Sequence, residues 1–209
     1  MCFLLFRKGD NEKAIELAEK LPNINKTREF TVNRFLERDK QIEQCQIAIQ
    51  KLTWGFWWQL NLLAGKYKLN SSDEGEHYTA EQSIAIYKKA IELYKIVYDE
   101  GDYYFSHCRL KQSCEHIAQA YFKLGNHDET ITYLEKAAEH SIAFSTRSDE
   151  HKFKSLLVNT LEDKAVGSST SNEKNDAYHL KKWIEEIYAP ILNDERVVKI
   201  LKNLGEYVN

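Results

Sequence analysis

Two histidines and two cysteines crowd one short stretch, at His107, Cys108, Cys114 and His116. These are the side chains that hold zinc. On a helix, His107 and Cys114 are seven residues apart and share a face, which supplies two ligands. A structural zinc site needs a closed set of three or four, so the cluster by itself makes no metal centre. It makes no nucleophile pair either. His107 beside Cys108, and Cys114 two residues before His116, diverge on a helix instead of facing each other. Asp176 and His179 complete no pocket. The chain is therefore read as non-enzymatic, with no catalytic residue, metal or cofactor. Aromatic side chains form the second group. Trp54, Trp57 and Trp58 lie on adjacent parts of one helical face, as a ligand pocket or subunit interface requires, or as packing between helices requires. Residues 52–63 are apolar nearly all round, which predicts burial between other helices. Phe3, Leu5 and Phe6 are further interface candidates, in a first helix of barely two turns. Burying one such side chain is worth roughly 1.5–3 kcal/mol, so this end is expected to be covered by a preceding segment or by a partner subunit.

The elements that would position these residues are helical throughout. Apolar residues recur at three- and four-residue spacing, and no segment shows strand alternation. After a Gly9-Asp10 turn, a helix runs from about Asn11 to Lys20 and closes before Pro22. A longer one covers about Arg28–Tyr67, with a break near 37–40. Thr79 and Gln82 have the spacing of a capping box and open a helix to about Tyr98, with Ile84, Tyr87, Ala90, Ile91, Tyr94, Ile96 and Val97 on its apolar face. Gly101-Asp102 makes a turn, and the next helix reaches Leu124. Gly125 stands where a helix ends in a left-handed residue, and Asn126 can cap the helix that follows. Ser148 is expected to cap a short helix around Lys152–Thr160. Two last helices span about Asp176–Tyr188 and Asp194–Leu204. Polar loops occupy 70–75 and 167–175.

Composition narrows the function. Of 209 residues, 29% are charged and 43% hydrophobic, and the net charge is −3. Binding a nucleic-acid backbone needs a concentrated basic face. Here Lys88-Lys89 and Lys181-Lys182 are isolated pairs with acids close by, so this chain is not expected to bind nucleic acid directly. No run approaches the ~18 apolar residues of a membrane span. The 4 cysteines lack CxxC spacing or a disulfide rhythm, which suggests reduced, packed thiols in a cytoplasmic protein.

One grammar recurs in the second helix of each hairpin. Ala14-Ile15, Ala18 and Leu21 match Ser83-Ile84, Tyr87 and Ala90, and again Thr130-Ile131, Leu134 and Ala137. Small residues at the outer positions let two helices approach closely, and the larger middle residue wedges into the adjacent hairpin. On these residues the chain resembles the tetratricopeptide repeat, a 34-residue helix–turn–helix. Ile117-Ala118, Tyr121, Gly125, Leu134 and Ala137 fit that pattern. Cys114 stands where it prefers tryptophan and Thr130 where it prefers alanine, and the copies lie 69 and 47 residues apart. The chain is also similar to the C-terminal region of clostridial helix-turn-helix (XRE-type) transcription regulators, without their DNA-binding domain. That likeness rests on residues 8–22, 98–103, 133–140, 155–158 and 193–196.

These resemblances imply an all-α, TPR-like fold of antiparallel hairpins stacked into a right-handed superhelix. Residues 1–147 would form the array, its first repeat truncated, and 148–209 a capping segment of the same domain. They also imply a concave groove lined by Gln112, Glu115, Gln119, Phe122 and Lys123. Amides on that stripe can hydrogen-bond a peptide backbone, and Glu115 can pair with a basic group. The expected role is a protein- or peptide-interaction module, the sensory part of a transcription regulator. The alternative is a structural scaffold or homodimerisation domain without a small ligand.

Overall fold

The computed structural model describes residues 38–64, 78–148, 150–161 and 175–207. The expectations for the first hairpin, including Phe3, Leu5 and Phe6, and for the 70–75 loop lie outside the described residues. The chain divides into two compact units, 1–48 and 49–209. Among the described residues the regular elements are α1 (Arg38–Leu63), α2 (Ala80–Val97), α3 (His107–Lys123), α4 (His127–Ser145), α5 (Asp176–Ile187) and α6 (Glu195–Gly205). Two single 3-10 turns, Tyr104–Ser106 and Ala189–Ile191, precede α3 and follow α5.

Local chemistry sets the helix ends. Before α2 the Thr79 hydroxyl accepts from the Gln82 amide at 3.3 Å, and the Gln82 side chain accepts from the Thr79 amide at 2.9 Å. This reciprocal cap satisfies two donors that a helix start leaves open. At the α3–α4 turn Gly125 has φ +73°, a conformation that a side chain disfavours. Asn126 then caps α4, its side-chain oxygen accepting from the Glu129 amide at 3.2 Å. Asp194 caps α6 in the same way through the Arg196 amide.

In the second unit α2 packs on α3, α3 on α4, and α4 on both α5 and α6. One apolar core runs through these helices. Ile117, Ala118, Ile131, Leu134 and Ala137 from the α3–α4 hairpin join Leu180, Ile184, Val197, Ile200 and Leu204 from the last two helices. The C-terminal helices thus share the core of the hairpin. Thr130 is wholly buried, and its hydroxyl donates to the Asn126 carbonyl at 2.8 Å. That bond lets a polar residue occupy a position suited to alanine.

Three expectations need correction. Ile96 is not on the buried face of α2: it is 71% exposed, while Tyr87, Ala90, Tyr94 and Val97 turn inward. Ile96 lies one position off the three-to-four stripe set by Ala90, Tyr94 and Val97. Residues 52–63 are not buried all round. Trp57 and Leu60 face inward, but Leu52, Trp54, Phe56, Trp58 and Leu63 reach the surface, because among the described residues only one side of this stretch meets a neighbour. The helix around 152–160 is absent, and 156–160 form turns. Ser148 donates to the Glu150 carbonyl instead of capping a helix. Long-range bonds claim the segment: Asp102 accepts from the Lys154 amide and pairs with His151, both at 2.7 Å, and the Ser155 hydroxyl donates to the Val97 carbonyl at 2.7 Å. Phe153, Val158 and Leu161 are buried from this strap.

Ile117→Ala, at the centre of the core, should lower unfolding free energy by about 2–5 kcal/mol. Ile96→Ala should change it by no more than about 0.5 kcal/mol. Urea denaturation followed by circular dichroism separates the two, and equal losses would contradict the assigned α2 face.

Candidate functional site

A groove of about 840 Å³ opens between α2, α3 and α4, within the range typical of ligand pockets. From α2 come Lys88, Ile91, Glu92 and Lys95, and from the following turn Glu100, Gly101 and Tyr103. The floor is His107, Leu110 and Cys114 of α3. The far wall is Tyr133, Lys136, Glu139, His140 and Ala143 of α4. Helical spacing places Lys88, Ile91 and Lys95 on one side of α2, and Tyr133, Lys136, His140 and Ala143 on one side of α4.

The two ends differ in chemistry. At one end the Lys88 ammonium donates to the Tyr121 hydroxyl at 3.2 Å and lies 5.7 Å from the Tyr133 ring centre. Lys136 approaches the same ring at 4.5 Å. Tyr133 stacks on Tyr121 at 5.8 Å, which fixes the platform. The hydrogen bond from Lys88 to Tyr121 raises the lysine's pKa above its ordinary value. At the other end His107 Nδ1 and His140 Nδ1 are 3.0 Å apart, and both rings meet Tyr103 edge-on. A bond of that length between neutral imidazoles requires one Nδ1–H donor and one bare Nδ1 acceptor, hence opposite tautomers. Burial pushes both down to about 4, with help from the charge of His151 on His107 and from His107 and Lys95 on His140.

The histidines and cysteines do not meet as a metal set. His107 pairs with His140 across the hairpin, and His116 stacks on Tyr87 at 4.9 Å. Among the described residues no three His, Cys, Asp or Glu side chains converge closely enough to hold an ion. Burial pushes the Cys114 thiol up to about 12, far from the thiolate that nucleophilic chemistry needs. Cys108 is raised by burial as well, and Cys45 is exposed.

The residues expected to line a concave face sit on another side of α3. Gln112, Glu115, Gln119 and Phe122 are half-buried and Lys123 is exposed. Phe122 packs edge-on against Tyr188 at 4.9 Å and stacks on His127 at 5.7 Å. Glu115 lies 3.6 Å from the Lys111 ammonium, which also contacts Asp176 at 2.7 Å. Burial pulls the Lys111 pKa down, but Glu115 and Asp176 outweigh it and hold the group charged. Asp176 also accepts from the Ser141 hydroxyl at 2.7 Å, tying α3, α4 and α5 together. Gln112 Oε1 is buried without a hydrogen-bond partner among the described residues.

Of the tryptophans, Trp57 is fully buried and donates from Nε1 to the Ser113 hydroxyl at 3.0 Å. The Arg109 guanidinium lies 5.0 Å from its ring and 5.9 Å from that of Trp54. Only Trp54 and Trp58 of the three reach the surface. Sequence reasoning missed His140, Lys88, Lys136 and Tyr133. The available signal was their shared helical face, but which faces border an opening depends on how α2 and α4 pack on α3.

Residues 112–139, most of the α3–α4 hairpin, match the family model of the tetratricopeptide repeat. The α3–α4 hairpin is TPR-like. No curated protein and no solved structure matches it. TPR-like hairpins generally mediate protein–protein interaction. No described helix is long and apolar enough to cross a membrane.

The histidine pair gives the TPR-like core a pH dependence. Both imidazoles titrate near 6.5 when unfolded and near 4 when folded, so the unfolded chain takes up protons that the folded one refuses. Stability should be complete above pH 6.5 and fall as pH drops toward 4, by up to about 1.4 kcal/mol per pH unit for each group. His140→Phe should make that decline shallower in urea titrations at stepped pH. An unchanged slope would show that the pair does not control it.

Proposed function

We propose that this chain is a non-enzymatic protein-interaction module that holds a peptide or protein segment against its helical hairpins. The observation that carries the reading is the TPR-like α3–α4 hairpin, with a ligand-sized groove on one side and a half-buried polar stripe on another. The groove walls combine fixed aromatic rings, cations and a short apolar floor. Such a surface gives a segment both area and orientation. Burial keeps the Cys108 and Cys114 thiols protonated and the His107–His140 pair uncharged, which supports a binding role.

The stripe of Gln112, Glu115, Gln119, Phe122 and Lys123 is a second surface for the same role. The Gln119 carboxamide favours it, since it offers a peptide backbone both donors and an acceptor. The likeness to clostridial transcription regulators supports a place beside a DNA-binding domain, in the same polypeptide or in trans, with the module sensing its ligand. The exposed Leu52, Trp54, Phe56 and Trp58 support the alternative of a homodimerisation or scaffold domain.

Selection from a random-peptide display library tests the binding role. The module should enrich a consensus, and a soluble peptide of that consensus should bind the protein but not its urea-unfolded form. Glu115→Ala with Gln119→Ala, set against Lys88→Gln with Lys136→Gln, should assign the peptide to one surface by a loss of fivefold or more in affinity, about 1 kcal/mol. Failure to enrich any peptide, together with a stable dimer by sedimentation, would replace the reading with the scaffold alternative.

A further inference from the structure

Resting on the interaction-module reading, we propose that the α2–α3–α4 groove takes an acidic peptide segment, one carboxylate seated beside Tyr133 against Lys88 and Lys136. Both lysines are exposed and approach one tyrosine ring, at 5.7 and 4.5 Å. Neither pairs with a carboxylate among the described residues, whereas Lys95 of the same groove is matched by Glu92 at 3.0 Å. Two like charges over one platform repel each other, and an anion between them removes that repulsion while adding two ion pairs. The platform is fixed in advance. Tyr133 is nearly buried and stacked on Tyr121, and the Tyr121 hydroxyl holds the Lys88 ammonium. Less freedom is therefore lost when the anion binds.

The remaining walls orient the segment. Ile91, Leu110 and Ala143 offer an apolar strip for a neighbouring aliphatic side chain. Glu100 and Glu139 also line the groove, and the histidine pair is uncharged at neutral pH, so nothing beyond the lysines attracts a second anion. The ligand is thus an acidic residue followed by apolar ones. A uniformly acidic run would meet the glutamates.

The test is a titration of the isotope-labelled full chain, followed by amide NMR shifts, with two capped synthetic hexapeptides. One carries a single glutamate followed by leucines, and the other has lysine in place of that glutamate. The acidic peptide should shift the amides of Lys88, Tyr133 and Lys136, more weakly at high salt. Lys88→Glu with Lys136→Glu should weaken it by roughly tenfold, as expected for two exposed ion pairs. Lys88→Arg with Lys136→Arg should retain it, and circular dichroism verifies that each variant folds. Equal shifts from both peptides, or shifts confined to Gln112, Glu115 and Gln119, would overturn the proposal. If library-selected peptides bind there instead, the module reading survives and this inference falls. If no peptide binds in either experiment, both fall.

Discussion

The close approach of α3 and α4 is the constraint on which the described second unit depends. Ala118 and Ala137 are both completely buried, and their small size lets the two backbones come near enough for Ile117, Ile131 and Leu134 to fill the space between them. A larger side chain at either alanine would drive the helices apart, and overpacking of this kind costs about 1–3 kcal/mol. Every other packed element borrows from that contact. α2 lies on α3, and α5 and α6 lie on α4. The groove exists because α2 and α4 flank the same helix without closing over it.

Polar chemistry is distributed around that contact in two different ways. Several buried polar groups are matched across elements, as in the Lys111–Asp176–Ser141 set and in Asp102 with its two partners. These tie α5 to the hairpin and the 150–161 strap to the turn between α2 and α3, and breaking one partner leaves the others desolvated and unpaired. Tyr104 belongs to the same arrangement. It holds φ +44°, lies flat against His151 at 4.7 Å and donates to the Ser148 carbonyl at 3.0 Å. A left-handed tyrosine costs free energy, and these contacts hold it there. On the groove walls, by contrast, Lys88 and Lys136 have aromatic neighbours in place of acids among the described residues.

Much of this was readable before any coordinates. Thr79 with Gln82, and Gly125 with Asn126, act through atoms three or four residues away, so their spacing was enough to place the ends of α2 and α3 and the start of α4. The apolar stripe of α4 was equally legible, because burial follows a 3.6-residue period. The small–large–small grammar around Thr130, Leu134 and Ala137 identified a TPR-like hairpin for the same reason. Each of these is a local rule in which the residue and its partner share one element or one turn.

Contacts between distant elements decided the rest. Nothing near Lys152 announces that its segment is bound by Asp102 and Val97, some 50 residues earlier, and those bonds won over a helix that local propensity allowed. Trp54, Trp57 and Trp58 look alike in sequence, yet Ser113 and Arg109 make Trp57 an interior residue while its neighbours reach the surface. His107 and His140 lie 33 residues apart and become one hydrogen-bonded pair only when α3 and α4 fold together. Lys88, Tyr133 and Lys136 converge for the same reason. Helical periodicity tells which side chains share a face. Which faces meet, and which stay open, is fixed by packing between helices, and the candidate binding groove belongs to that second kind of information.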